Sequence, residues 1–274
     1  MFFQFVKYFN TLRWYQKLYQ ENGKLPLLPY EAKKITRSDT VFILGSGSSI
    51  NNISRWDIIK ENDSIGFNFW MFHDFVPDFY FIESSPRMNV MDIYSQIISE
   101  KYEELKNTIF FCKPSENWNI ILYLMKKYKL NYYIYHSRSW FSENTSTLKA
   151  NIKKIRRKSI HKQLEFYHQG TGSLEMIVYF CAIAGYRKII LCGIDLNNSN
   201  YFYQSKKYSN YIVPNQPSDK VHKTEDTSRV WPAGMTIANV LDTYRKYLVD
   251  DDVTIYIESE MSKLAIDYPI YSLH

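Results

Sequence analysis

The 274-residue chain is long enough for one large α/β domain with its own core, which excludes a disulfide-stapled miniprotein. Apolar residues at 45% and charged residues at 23% exclude a disordered or polytopic chain, and a diffuse net charge of +6 suits an anionic surface or phosphorylated substrate, not nucleic acid. Aromatic residues reach 17%, a surplus that serves core packing, interfacial anchoring and sugar stacking equally well.

In chain order, residues 1–20 place Phe2, Phe5, Phe9, Leu12 and Tyr19 at helical spacing, with Lys7, Arg13 and Lys17 among aromatics. That is an amphipathic helix of the kind that lies in a membrane surface or packs on its own domain. Lys7 and Arg13 break any secretory signal. Residues 1–38 read as this helix plus a Pro- and Lys-containing linker, and residues 39–274 as the main domain. There TVFILGSG, DSIGFNFW, PDFYFIES, TIFFCKP, NYYIYHS, KIILCGID and VTIYIES read as strands, alternating with helical SSINNISRWDIIKEN, MDIYSQIISEKYEEL, NIILYLMKKY, SLEMIVYFCAIAGY and NVLDTYRKYLVDD. The alternation predicts an α/β fold: a single Rossmann-like, mainly parallel sheet with helices on both faces. The basic run within 142–163 reads as a solvated helix or excursion, and about 198–228, which lacks periodicity, as a flexible lid. Cys112, Cys181 and Cys192 sit in apolar runs without metal-ligand spacing, as reduced core residues of a cytoplasmic protein do.

Two segments carry chemistry. Gly45-Ser46-Gly47-Ser48-Ser49 follows a hydrophobic strand, so it is either an anion-binding turn or a plain strand-to-helix connection; Ile50 replaces the third glycine of a dinucleotide fingerprint. Thr171-Gly172-Ser173 opens a helix, as a cap or as ligand donors, and Asp195 follows a strand end, at a ligand or as a loop brace. No Asp-x-Asp motif ends a strand, and Asp250-Asp251-Asp252 lies at a turn, so no metal is expected.

Taken in order, Gly45-Ser46-Gly47-Ser48-Ser49, Asn68, Ser173, Cys181-Ala182-Ile183-Ala184, Gly185-Tyr186-Arg187 and Gly193-Ile194-Asp195 resemble the motifs of the bacterial sialyltransferases of glycosyltransferase family 42, over roughly residues 40–268. Related Kdo transferases of lipopolysaccharide synthesis share much of the pattern. The resemblance implies a GT-A-like sialyltransferase variant. It implies an inverting enzyme that moves sialic acid from a CMP-sugar donor to a sugar hydroxyl of a surface glycan; the alternatives are a CMP-Kdo-dependent Kdo transferase or another nucleotide-dependent enzyme on the same fold. The donor itself is the only small molecule required, no metal or cofactor being needed. The implied acceptor is an oligosaccharide or lipid-linked glycan at the inner membrane face; nucleic acid is excluded and homo-oligomerisation left open. By correspondence, Gly45, Ser46, Gly47, Ser48, Ser49, Asn68, Ser84, Thr171, Gly172, Ser173 and Asp195 hold the donor. Asn197 stands where the family has the first of two phosphate-steadying tyrosines, with Tyr201 or Tyr203 as the second, and Glu83 or Ser84 replaces a family Asn. His222 matches the general base, with His73 and His168 as rivals.

Overall fold

The computed structural model describes residues 34–83, 88–113, 120–135, 137–138, 144–157, 167–168, 172–196, 200–208, 236–247 and 252–274, together with Trp14, Lys17, Leu18, Gln20 and Glu21. Seven strands form one parallel sheet: β1 (Thr40–Leu44), β2 (Asp63–Phe67), β3 (Phe79–Glu83), β4 (Ile109–Lys113), β5 (Asn131–Ile134), β8 (Lys188–Cys192) and β9 (Thr254–Ile257). Their order is β5-β4-β3-β2-β1-β8-β9, and a separate short pair joins β6 (Ser137–Arg138) to β7 (Tyr167–His168). β1 and β2 are buried along their whole length, as strands covered on both faces must be.

Side chains alternate across the sheet and so define two cores. Val41 and Ile43 point into one with Phe81, Phe111 and Phe180; Phe42 and Leu44 point into the other with Trp70, Tyr80 and Ile121. The second core is covered by α1 (Trp56–Glu61), α2 (Met88–Glu100), α3 (Tyr102–Leu105) and α4 (Ile120–Lys127). The first is covered by α5 (Thr145–Arg157), α6 (Ser173–Ala184) and α7 (Ile237–Tyr247). From β1 the chain builds outward to β5, then returns to the other side of β1 with β8 and β9. The gap above β1 and β8 is therefore the topological switch point, where ligands of open α/β sheets bind at the strand ends.

The basic helix α5 is only half solvated. Leu148 and Ile152 are buried in the first core, and the Lys149 ammonium donates to the Tyr247 hydroxyl of α7 at 3.0 Å. α6 is buried from Leu174 to Cys181, each large apolar side chain contributing about 1.5–3 kcal/mol. It ends because Gly185 takes φ +90°, the left-handed C-cap conformation that a side chain resists. The next residue, Tyr186, donates to Asp63 at 3.0 Å, and burial pushes its hydroxyl far above the ordinary tyrosine range. That places the Gly-Tyr part of the motif at the N-terminal edge of β2, the sheet edge opposite the switch point.

Leu18 is buried in the second core and Trp14 packs against it, so this part of the N-terminal helix meets protein. Among the described residues no helix is long and apolar enough to cross a membrane. Of the stretch read as a lid, residues 200–208 form two 3-10 turns, Phe202–Gln204 and Lys206–Tyr208, with Phe202 and Tyr208 buried; residues 198–199 and 209–228 lie outside the described residues.

Candidate functional site

At the switch point the loop after β1 is stitched to the loop after β8. The Gly45 N–H donates to the Cys192 carbonyl at 2.8 Å, and the Gly47 N–H to the Gly193 carbonyl at 2.8 Å. A Cβ on Gly47 would fall 2.5 Å from Asp195 Oδ2 and 2.7 Å from the Gly193 oxygen, so the absent side chain permits the approach. Because the backbone is extended here, alternate amides face opposite ways, and the N–H groups of Ser46 and Ser48 are not drawn into this pairing. The Ser46 side chain is 8% exposed, and its hydroxyl has no hydrogen-bond partner among the described residues. A buried hydroxyl left in that state is costly, so it marks a place where a ligand could supply the missing bond.

Below the turn lies a buried acidic cluster. Ser49 donates through its hydroxyl to Asp195 Oδ1 at 2.5 Å and through its N–H to Oδ2 at 3.2 Å, and Glu258 Oε2 is 3.4 Å from the same hydroxyl. Both Ser49 and Asp195 are thus spent on each other, bracing the turn from inside. Glu258 has no exposed surface; burial and the neighbouring Asp195 raise its carboxyl to about 7, against the pull of His274 at 3.5 Å, the Gly193 N–H and Ser49. Glu258 was not singled out by sequence, although, like Asp195, it is an acid shortly past a core strand, one residue after β9 as Asp195 is three after β8.

Beside the turn, at the end of β2, Asn68 is an exposed residue at φ +54°. Its carbonyl accepts hydrogen bonds from the hydroxyls of Tyr80 and, at 3.0 Å, Tyr94, which hold the backbone in that sparsely populated region. At the end of β3, Glu83 accepts a hydrogen bond from the Ser173 hydroxyl at 2.7 Å and pairs with Lys113 at 3.4 Å. Glu83 thereby links the N-terminus of α6 to the ends of β3 and β4. Gly172 precedes α6, and a Cβ there would meet no atom of the described residues within 4 Å.

The loop after β8 returns to the turn. Gly47 forms an antiparallel bridge with Tyr201, and the Phe202 N–H donates to the Ser46 carbonyl at 3.0 Å. Tyr201 is half-buried, and burial raises its hydroxyl to about 12, which keeps it a donor at neutral pH. Tyr203 is 5% exposed; it stacks on Tyr201 at 5.0 Å and meets Phe69 and Phe72 edge-on. Lys207 pairs with Asp74 at 2.6 Å. Ser84, Thr171, Asn197 and His222 lie outside the described residues, and of His168 only the backbone is described. The structure therefore brings Gly45, Ser46, Gly47, Ser48, Ser49, Asp195 and Tyr201 to one junction, with Asn68 at the neighbouring strand end and Ser173 on α6.

Two outcomes test this geometry. Gly47→Ala should lower stability by about 1–3 kcal/mol in urea titrations, since the Asp195 carboxylate and the Gly193 carbonyl cannot both retreat, whereas Gly172→Ala should leave the midpoint nearly unchanged. For Glu258, the folded state keeps a proton that the unfolded chain releases above the ordinary glutamate value of 4.5. Stability from this group is therefore highest below that value and is lost as pH rises toward 7. Glu258→Gln should remove the loss, so the variant's advantage over the parent should grow by up to about 3 kcal/mol between pH 5 and pH 8. A difference independent of pH would contradict it.

No family model matches the chain, and no curated protein matches it. Solved structures do. The chain is similar to the monofunctional α-2,3-sialyltransferase Cst-I from Campylobacter jejuni, at 18% identity over 85% of this chain and 80% of that one, with a TM-score of 0.47. It is also similar to the sialyltransferase CstII from the same organism in complex with cytidine-5'-monophosphate, at 16% identity over 85% of both chains and a TM-score of 0.44. A third structure, CstII with a trisaccharide acceptor and CMP, is 18% identical over 84% of this chain and 85% of that one, with a TM-score of 0.45.

Proposed function

We propose that the chain is an inverting glycosyltransferase that moves a sialic acid from its CMP donor to a sugar hydroxyl of a bacterial surface glycan, lipooligosaccharide or capsule. CMP-Kdo is the alternative donor, supported by the motif pattern that Kdo transferases share. One observation carries the reading: the buried Ser46 hydroxyl, which has no hydrogen-bond partner among the described residues, sits on a turn at the sheet's switch point beside the Ser46 and Ser48 amides, which are likewise unpaired among the described residues. Such a turn offers hydrogen-bond donors to one phosphate, which suits a CMP-linked sugar. The strained, exposed Asn68 one strand away offers an amide to the same ligand.

In the reaction the acceptor oxygen attacks the anomeric carbon from the face opposite the phosphate, which inverts it. The bond from that carbon to the phosphate oxygen breaks, and its electron pair leaves with CMP. The acceptor proton passes to His222, the general base that the family resemblance implies. Asn197 and Tyr203, or Tyr201, whose hydroxyl burial keeps a neutral donor, steady the departing phosphate, where charge develops. No metal is needed in this scheme, since a single phosphate leaves and hydroxyl and amide donors receive it.

Release of nucleotide from CMP-, UDP- and GDP-linked sugars, compared side by side, tests the donor class; preference for a UDP- or GDP-sugar would overturn it. His222→Ala should lower turnover about 100- to 10,000-fold while CMP affinity stays near that of the parent. Near-normal turnover, or a larger loss on His168→Ala with the fold kept, would move the role elsewhere. Peripheral attachment to the inner membrane belongs to the same proposal and rests on the aromatic and basic residues of 1–20. Deleting residues 1–13, which spares Trp14 and Leu18, should abolish partition to anionic liposomes; unchanged partition would assign the segment to the fold alone.

A further inference from the structure

Across the Ser48–Asn52 turn from the acidic cluster, a cavity of about 690 Å³ opens between that turn, α1, the 73–76 loop and Tyr208. One wall is aromatic: the Trp56 ring lies 5.1 Å from Phe75 and 4.9 Å from His73, tilted by about a third of a right angle to each. The rim is polar and balanced in charge, with Lys60 and Lys207 against Asp74 and Glu104, and the exposed Asn51 among them. Lys207 is already paired with Asp74, which removes its charge from any claim on an anion. His73 Nδ1 accepts the Phe75 N–H at 3.0 Å, so the ring proton sits on Nε2. Burial and nearby Lys207 lower this histidine to about 4, which leaves it a neutral donor at physiological pH, and no hydrogen bond to Nε2 is found among the described residues.

A phosphate or nucleotide gains little from a rim whose charges cancel, and an apolar ligand would strand the rim's polar groups. A pyranose fits both halves: its C–H face packs on an aromatic ring, while its hydroxyls donate and accept around the edge. The volume lies within the ordinary range of small-ligand sites and exceeds what one ring fills. The turn that carries buried Ser49 on its inner side presents Ile50 and Asn51 to this cavity, so the cavity and the switch point are two sides of one five-residue element.

We propose that this cavity binds a neutral sugar unit of the glycan acceptor, removed from the hydroxyl that reacts; as an acceptor subsite the proposal rests on the transferase reading above. The test is retention on an array of neutral glycans in the presence of CMP, with CMP binding followed separately by calorimetry. The parent protein should retain a subset of the array. Trp56→Ala and the exposed-site variant Asn51→Ala should each weaken that retention by about tenfold or more, the loss of one stacking ring or one good hydrogen-bonding group. CMP affinity, unchanged in both, shows that they fold. Retention of no glycan by a parent that binds CMP, or equal retention by both variants, would overturn the inference and leave the transferase reading standing. Glycan retention by a parent that ignores CMP would do the reverse. Perturbation of the Trp56 indole resonance by CMP alone would make the cavity part of the nucleotide site, and so overturn the assignment to sugar.

Discussion

The two hydrogen bonds from Gly45 and Gly47 to the carbonyls after β8 are the constraint on which this end of the molecule depends. They join segments 147 and 146 positions apart in sequence, and the Ser49–Asp195 contact beneath them also spans 146. Once the loops are held at that distance, every neighbouring feature follows. No side chain fits at position 47, and the chain after Asp195 must turn back, which Leu196 accomplishes at φ +48°. The turn can present donors to a ligand because its other half is committed to the protein. Preorganisation of that kind spares the ligand the cost of ordering the loop.

Beneath the seam the protein retains groups that a stable core would ordinarily avoid. Ser49, Asp195 and Glu258 are all within 4% of complete burial, and Glu258 sits near an acid of the same sign. Taking two carboxyls out of water costs several kcal/mol unless one remains protonated, and burial drives Glu258 in that direction. The arrangement is better understood as shaping than as stabilising. Asp195 fixes both the amide and the hydroxyl of Ser49, and that fixes the 3-10 turn whose far side lines the aromatic cavity.

The sheet was legible because its strands are short apolar runs bounded by polar residues, and all seven read from sequence are present. Boundaries failed where a single residue changes the backbone. DSIGFNFW reads as one strand through Trp70, yet the strand stops at Phe67, because Asn68 turns left-handed and the chain continues as a 3-10 turn. The Ser and Asn residues of SSINN read as helix caps but make a separate 3-10 turn, with the helix starting at Trp56. The basic stretch reads as a wet face, whereas Leu148 and Ile152 are core residues; the five Lys and Arg residues of the helix hid the pattern. In the site, the glycine turn was visible but its meaning was not, since an anion-binding turn and a close-packed one carry the same residues. Deciding between them requires Cys192 and Gly193, which sequence distance conceals. Glu83 and Glu258 draw their significance from Ser173 and Ser49, again remote in sequence.

The central claim is that the donor's phosphate meets the uncommitted half of the β1 turn. A crystal structure of the chain with CMP tests it most directly. The account predicts the phosphate within hydrogen-bonding distance of the Ser46 and Ser48 amides and the Ser46 hydroxyl, above the ends of β1 and β8. CMP bound away from that turn, or a phosphate that leaves the Ser46 hydroxyl unpartnered, would contradict it.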